Sequence, residues 1–391
     1  MIYSNPYRWV VLGVFLLVAG LSQLLWLNFA PILSLVESRY QVTESVASLL
    51  LLVFPLVYVL LSIPAGNLID RRGYRFTVGL GSVVMAFFSC VRIYDRGFWV
   101  LLVAQIGISV GQPFVVNGIS KLVSDWFSSE QSALATGLGT MGMFIGMAAG
   151  MSVTPLMVDS WGFQAMLGVF AVVSCVFCAA FLFLARENPQ GAGKRASESV
   201  SIGGFSSLLR NRDLLLLFAL AFLGLGFFNG LTTWLEPILA PNGFNSIQAG
   251  TVGGVLIFGG IVGAVVIPAL SDHFKRRKPF VIGSTVAALV MLYPLCHVTT
   301  YWLVLTFSAL QGFFFLPAFA LLLEICSELA GKARAGAATG ILMLAGNAGG
   351  VVVILAMDWV RGGAPDFSAS VVLMEAILAA AVLIAWFLPK V

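Results

Sequence analysis

Charge is scarce in these 391 residues: Asp, Glu, Lys and Arg together make up 10%, against about 25% in an average soluble domain. With 60% hydrophobic residues and a mean hydropathy of +1.00, the chain lacks the polar surface a water-soluble fold requires. Histidine is limited to His273 and His297, which leaves little for acid–base catalysis. No phosphate-binding glycine loop, HExxH run or Ser/His/Asp grouping is present, so an enzyme of those classes is excluded. Cysteine is sparse too. Cys90, Cys175, Cys178, Cys296 and Cys326 fall mostly inside apolar runs, and the Cys175/Cys178 pair has no flanking charge to activate a thiol. They read as small core residues. No cleavable leader is evident. The first apolar run, Trp9 to about Ala30, is long enough to be a retained spanning helix.

What the chain does have is long apolar runs. About 20 such residues cross the hydrocarbon of a bilayer. Breaks at charge, Pro and Gly predict twelve spans: 8–36, 44–68, 75–94, 98–122, 131–157, 163–185, 213–239, 247–271, 279–298, 301–326, 334–357 and 367–388. The longest polar gap, RENPQGAGKRASESVSIGGFSSLLRNR at 186–212, reads as a flexible connector after the sixth span. The predicted organisation is a six-helix bundle at 1–185, a linker at 186–212 and a second bundle at 213–391. With the N-terminus inside, 17 Lys and Arg fall on cytoplasmic segments and four outside: Arg39, Arg92, Arg96 and Arg361. The positive-inside rule therefore puts both termini in the cytoplasm. The net charge of +4 is accounted for by topology and gives no reason to invoke a nucleic acid.

The halves repeat. Asp70 and Asp272 precede basic clusters 202 residues apart; Thr136-Gly137 and Thr339-Gly340 are 203 apart; Pro113 and Pro317 are 204 apart; Pro31-Ile32-Leu33 and Pro237-Ile238-Leu239 are 206 apart. Parallel halves related by an axis along the membrane normal are an arrangement transporters use for alternating access.

The segment GNLIDRRGYRFTV carries Gly66, Asp70, Arg71, Gly73 and Arg75 and resembles the major facilitator signature between helices 2 and 3. In that family the loop latches the outward-open state. The second copy, PALSDHFKRRKPF, keeps Asp272 but has Lys275 where Gly73 would fall. A closer resemblance lies inside the spans. SQLLWLNFAPILSLVESRYQVTESVASLL, LIDRRGYR and AQIGISVGQPFVVNGISKLVSDWF look like the FLVCR family (feline leukaemia virus subgroup C receptor-related, solute carrier family 49). GLGFFNG and ATGILMLAGNAGG carry a weaker match in the second half. That family is linked to choline and ethanolamine transport, and haem export is also assigned to it. The resemblance implies an aromatic cage with amides. The helix 1 tryptophan falls on Trp26 and the helix 4 glutamine on Gln112. The helix 7 tyrosine falls on Phe228, without its hydroxyl, and the helix 11 glutamine on Asn347, one methylene shorter.

The same residues stand out on physical grounds. Trp26 lies away from the interfacial belts that Trp favours. Gln23, Asn28, Gln112, Asn117, Asn229 and Asn347 are amides at hydrocarbon depth, where an unbonded amide costs a few kcal/mol. Such groups line a cavity or tie helices together. No acidic residue sits mid-span in helices 1, 4, 7 or 10, where proton antiporters keep relays; Glu236 near the outer end of helix 7 is the best candidate for a cation contact. The glycine stripes Gly142/Gly146/Gly150, Gly250/Gly254, Gly259/Gly263 and Gly336/Gly340 suggest surfaces along which the two halves approach and slide.

The sequence thus predicts an all-α membrane protein of the major facilitator fold, a monomer in a bacterial cytoplasmic membrane. It moves a small organic solute, most readily a choline- or ethanolamine-like cation, by facilitated alternating access. Expected substrate contacts are Trp26, Gln112, Phe228 and Asn347, with Gln23, Asn28, Asn117 and Asn229 around them; Trp26 and Phe228 are expected to flank the substrate from opposite halves. Gly66, Asp70, Arg71, Gly73, Arg75 and Asp272 form the latch, and Glu236 is the cation contact. No catalytic residue, metal or cofactor is called for. The alternative is an exporter of haem or an amphipathic drug; His273, in a cytoplasmic loop, and His297, at the outer end of helix 9, do not converge to ligate iron. A membrane enzyme or receptor is the remote third reading.

Overall fold

The computed structural model describes residues 6–188, 208–331, 334–364 and 366–389; most of the linker, with Lys194 and Arg195, lies outside them, as do Lys332 and Lys390. Every regular element among the described residues is helical: α1 (Tyr7–Leu27), α2 (Leu33–Tyr40), α3 (Glu44–Ala47), α4 (Leu49–Arg92), α5 (Phe98–Val116), α6 (Gly118–Trp126), α7 (Ser129–Trp161), α8 (Phe163–Leu184), α9 (Arg212–Leu239), α10 (Ser246–Phe274), α11 (Lys278–His297), α12 (Tyr301–Ala330), α13 (Ala335–Arg361) and α14 (Ser368–Trp386). Among the described residues, eleven stretches are long and apolar enough to cross a membrane. One of them, Glu44–Arg92, runs to 49 residues and covers two of the expected spans. Its helix α4 is broken at Gly73, whose φ of 79° and ψ of 167° leave helical space. Glycine adopts positive φ without a Cβ penalty, which is why the break falls there.

The outer surface is that of a membrane protein. Six of the nine tryptophans, Trp9, Trp99, Trp161, Trp302, Trp359 and Trp386, are exposed, and all six lie near helix ends, as in the aromatic belts of bilayer proteins. Trp26, Trp126 and Trp234 are buried, and each indole N–H has an acceptor: the Leu51 carbonyl at 3.2 Å, the Tyr74 hydroxyl at 2.7 Å and the Ile354 carbonyl at 3.3 Å. A buried indole needs such a partner.

The chain forms two compact units, Met1–Phe29 with Leu35–Ser199, and Ala30–Ser34 with Val200–Val391. In the first, α7 lies so close on α1 that a Cβ at Gly146 would collide with the Gly20 carbonyl, and one at Gly150 would stand 2.9 Å from the Leu24 carbonyl. In the second, Gly349 of α13 meets the Phe222 carbonyl of α9 in the same way, and Gly259 and Gly263 of α10 meet the Ala309 and Phe313 carbonyls of α12. These glycines therefore serve helix pairs within a unit. The stripes Gly142/Gly146/Gly150 and Gly259/Gly263 act there as close-packing sites, because without hydrophobic drive in lipid, helices associate through backbone approach. Gly336 and Gly340 meet nothing within 4 Å. Two cysteines also depart from expectation. Cys90 and Cys175 are exposed on the surface, their sulfurs 3.6 Å apart, and are not core residues.

Candidate functional site

α1 ends at Leu27, and a short 3₁₀ turn at Ala30–Ile32 separates it from α2. The span is therefore interrupted just after Trp26. Trp26 is 8% exposed, its ring stacked near Phe54 at 6.2 Å and its N–H tied to Leu51, both on α4. That bond fixes the plane of the indole. Gln112 on α5 is buried, directly before Pro113. The other amides have partners. Gln23 donates to the Ser22 hydroxyl at 3.2 Å. Asn117, at the junction of α5 and α6, accepts from the Tyr58 hydroxyl at 2.9 Å and donates to the Ser62 carbonyl at 3.2 Å, tying that junction to α4. Asn28 is fully buried; with its amide oriented to suit its neighbours it donates to the Leu25 carbonyl and accepts from Arg92, both at 2.8 Å.

Arg92 is the residue that sequence reasoning missed. It counted as an outward-facing topology charge, but the last residue of α4 is 2% exposed and points into the unit. It donates to the Gln105 carbonyl oxygen at 3.1 Å and lies 4.7 Å from the Phe29 ring. The charge count could not separate it from Arg39, which pairs with Asp95 at 2.5 Å on the surface side. A signal did exist: Gln105, on the neighbouring helix, is a further amide inside an apolar run.

In the second unit Phe228 is buried and stacks on Phe315 with a 4° interplanar angle and 6.4 Å between centroids. Phe315 also helps line a small cleft of about 30 Å³ with Leu220, Gly224, Val281 and Thr285, apolar and about the size of one or two waters. Asn347 is half-buried and donates to the Met343 carbonyl of its own helix at 2.9 Å. Asn229 donates to Leu225 at 2.7 Å, but its carbonyl oxygen is buried with no hydrogen-bond partner. Glu236 is buried and accepts from the Ser34 N–H at 3.2 Å, the Ser34 hydroxyl at 2.8 Å and the Ser246 hydroxyl at 3.4 Å. These donors hold the carboxylate in place with charge-assisted hydrogen bonds.

The two signature loops differ. Gly66 is half-buried near the end of the first α4 segment, Asp70, Arg71 and Arg75 are exposed, and a Cβ on Gly73 would come within 2.9 Å of the Glu187 carboxylate. In the second copy Lys275 also has positive φ, 50°, but with ψ of 40° it lies in left-handed helical space as a C-cap, whereas Gly73 has ψ of 167°, so the chain turns differently without the glycine. Asp272 belongs to a cluster around Arg277, whose guanidinium reaches Asp272 at 3.8 Å, Glu324 at 2.9 Å and Glu328 at 2.9 Å. The Arg277–Glu324 contact is close but not aligned as a hydrogen bond. Among the described residues no group of three His, Cys, Asp or Glu could hold a metal.

Comparison with known proteins supplies the wider frame. Residues 15–354 match the family model described as Major Facilitator Superfamily. The chain is 27% identical over 374 residues to "Solute carrier family 49 member A3" of Xenopus tropicalis, covering 89% of this chain and 77% of that one. It is 26% identical over 389 residues to "Choline/ethanolamine transporter FLVCR1" of Mus musculus, covering 90% and 70%. The crystal structure of a bacterial homolog to the human lysosomal transporter Spinster superimposes with a TM-score of 0.71 at 17% identity, covering 98% of this chain and 96% of that one. At that identity the likeness speaks for the fold alone.

Proposed function

The chain belongs to the Major Facilitator Superfamily, and from that premise we propose that it carries a choline- or ethanolamine-like organic cation across a bacterial cytoplasmic membrane by alternating access. In this reading the chain crosses the bilayer twelve times, with α4 contributing two crossings about the Gly73 break, and both termini are cytoplasmic. It works as a monomer built from the halves 1–185 and 213–391. Each half supplies a ring and an amide to the substrate: Trp26 and Gln112 from the first, Phe228 and Asn347 from the second. Gln23, Asn28, Asn117 and Asn229 support these groups.

The observation that carries the reading is the buried Trp26 indole. It sits away from the six belt tryptophans, oriented by Leu51, next to a break in its helix. A cation over a desolvated indole gains about 2 kcal/mol, which suits a carrier that must also release its cargo. Glu236 is the proposed cation contact toward the far end of α9, where a cation would compete with the serine donors. The relatives named as choline/ethanolamine transporters support the substrate class. Gly66, Asp70, Arg71, Gly73, Arg75 and Asp272 are proposed to latch one conformer.

The test is titration of purified protein with choline and ethanolamine, followed by melting temperature, alongside Trp26→Ala. Saturable stabilisation that is lost in the variant is expected. No stabilisation by either amine, or equal stabilisation of parent and variant, would overturn the cation reading.

A further inference from the structure

Arg92 is among the largest fully buried side chains of the protein, and it forms no ion pair with a carboxylate among the described residues. A buried guanidinium without an acid is costly, so its neutral partners matter. Two of them are amides, and each amide has a second task. The Gln105 oxygen accepts from Arg92, while its NH₂ donates to the Leu25 carbonyl at 3.1 Å and the Leu50 carbonyl at 3.2 Å. The Asn28 oxygen accepts from Arg92, and its NH₂ donates to the same Leu25 carbonyl. Leu25 lies in the last turn of α1, whose final carbonyls have no helical donor. It directly precedes Trp26, and Leu50 directly precedes Leu51, the acceptor of the Trp26 indole.

We propose, resting on the reading of Trp26 as a substrate contact, that Arg92 is a positioning residue: it sets the orientation of the Gln105 and Asn28 amides and thereby holds the seat of the Trp26 ring. The physical reason is that a guanidinium has donors and no acceptor. An amide facing it must present oxygen, so its NH₂ must face the other way, onto the α1 terminus and the start of α4. A neutral side chain at 92 imposes no such choice, and an amide can then turn by half a revolution and release the carbonyls. The charge also polarises both amides and strengthens the bonds beyond them.

The experiment needs no cargo. Protein labelled with 5-fluorotryptophan gives fluorine NMR lines from its nine indoles, and Trp26→Phe identifies the Trp26 line. Arg92→Gln is expected to shift and broaden that line while the other eight stay in place. Arg92→Lys, still donor-only but too compact to reach both amides, should restore it in part. A Trp26 line unmoved in Arg92→Gln overturns the proposal. So does a change in all nine lines at once, which would assign Arg92 to the fold as a whole. If Arg92→Gln does not elute as monodisperse protein, Gln105→Met and Asn28→Ala interrupt the same network, and an unmoved Trp26 line in both is the overturning result. Failure of the substrate reading shows separately: choline stabilisation would be absent, or unaffected by Trp26→Ala, whatever the fluorine spectra show.

Discussion

The two halves share a backbone device and differ in the chemistry of their interiors. Gly146 on Gly20 in the first unit and Gly349 on Phe222 in the second are the same close approach, repeated 202 to 203 residues later. The polar groups do not repeat. At the 202-residue offset of Gly20 and Phe222, Trp26 coincides with Phe228, so a ring recurs, but Gln23 coincides with Leu225 and Asn28 with Gly230. At the 204-residue spacing of the mid-span prolines, Arg92 coincides with Cys296. The first unit therefore holds a bonded network around a buried cation. The second holds Gln311 with both amide atoms unpartnered, Asn229 with one, and a buried Glu236. Backbone approach tolerates only the smallest side chain, whereas an interior polar group can be exchanged for any neighbour set that satisfies it. The helix pairs accordingly stay alike while the two interiors diverge.

The comparison breaks most violently at the shared device. Gly146→Val and Gly349→Val should each cost about 1–3 kcal/mol or more through overpacking, with a similar loss of monodisperse yield and melting temperature in both. Gly340→Ala, where nothing lies within 4 Å, is the control expected to be silent. Tolerance of valine at one site and not the other would show that the halves are packed differently after all.

The next effect is asymmetric. Trp26→Ala should weaken choline binding at least tenfold, or about 1.4 kcal/mol, with Trp26→Phe costing less. Phe228→Leu should cost less than Trp26→Ala, because Phe is the weaker π donor and Phe228 is stacked on Phe315. Isothermal titration of the three variants orders them.

Smaller effects are expected at the loops. The Arg277 cluster is partly exposed, and such pairs are worth about 0–1 kcal/mol each. Arg277→Gln and Asp70→Asn should therefore lower uptake rates by a few-fold with membrane insertion intact, as measured in proteoliposomes at equal protein load. Unchanged uptake in both variants would remove the latch role from both loops. The smallest effect is the most specific. Phe228→Tyr restores the hydroxyl that the FLVCR resemblance lacks here, and a modest gain in choline affinity is expected; a loss would place that ring in packing alone.

Much of the architecture was legible in the residues. Hydrocarbon demands that each spanning segment satisfy its own backbone and present apolar side chains, so the runs, the Gly73 break and the repeated landmarks could be read one segment at a time. Trp26 was legible as an indole inside a long apolar run, and Gln112 as an amide in another; that α1 stops one residue after Trp26 was not. Arg92 was not. An arginine at the end of a span looks the same whether it faces headgroups or turns inward, and only the side chains of Asn28, Gln105 and Phe29, far off in sequence, decide which. The same holds for the glycines, whose spacing announced close contact but not with which helix.

The sequence by itself determined the membrane class, the helix content and the twofold repeat, because those follow from local hydropathy and spacing. The tertiary structure alone decided that Arg92 is buried without an acid among the described residues, that Glu236 is held by Ser34 and Ser246, and that Gly146 and Gly259/Gly263 join helices within a unit. Each of these depends on which distant groups satisfy a donor, an acceptor or a surface, and partners across a bundle carry no mark in the linear order of the chain.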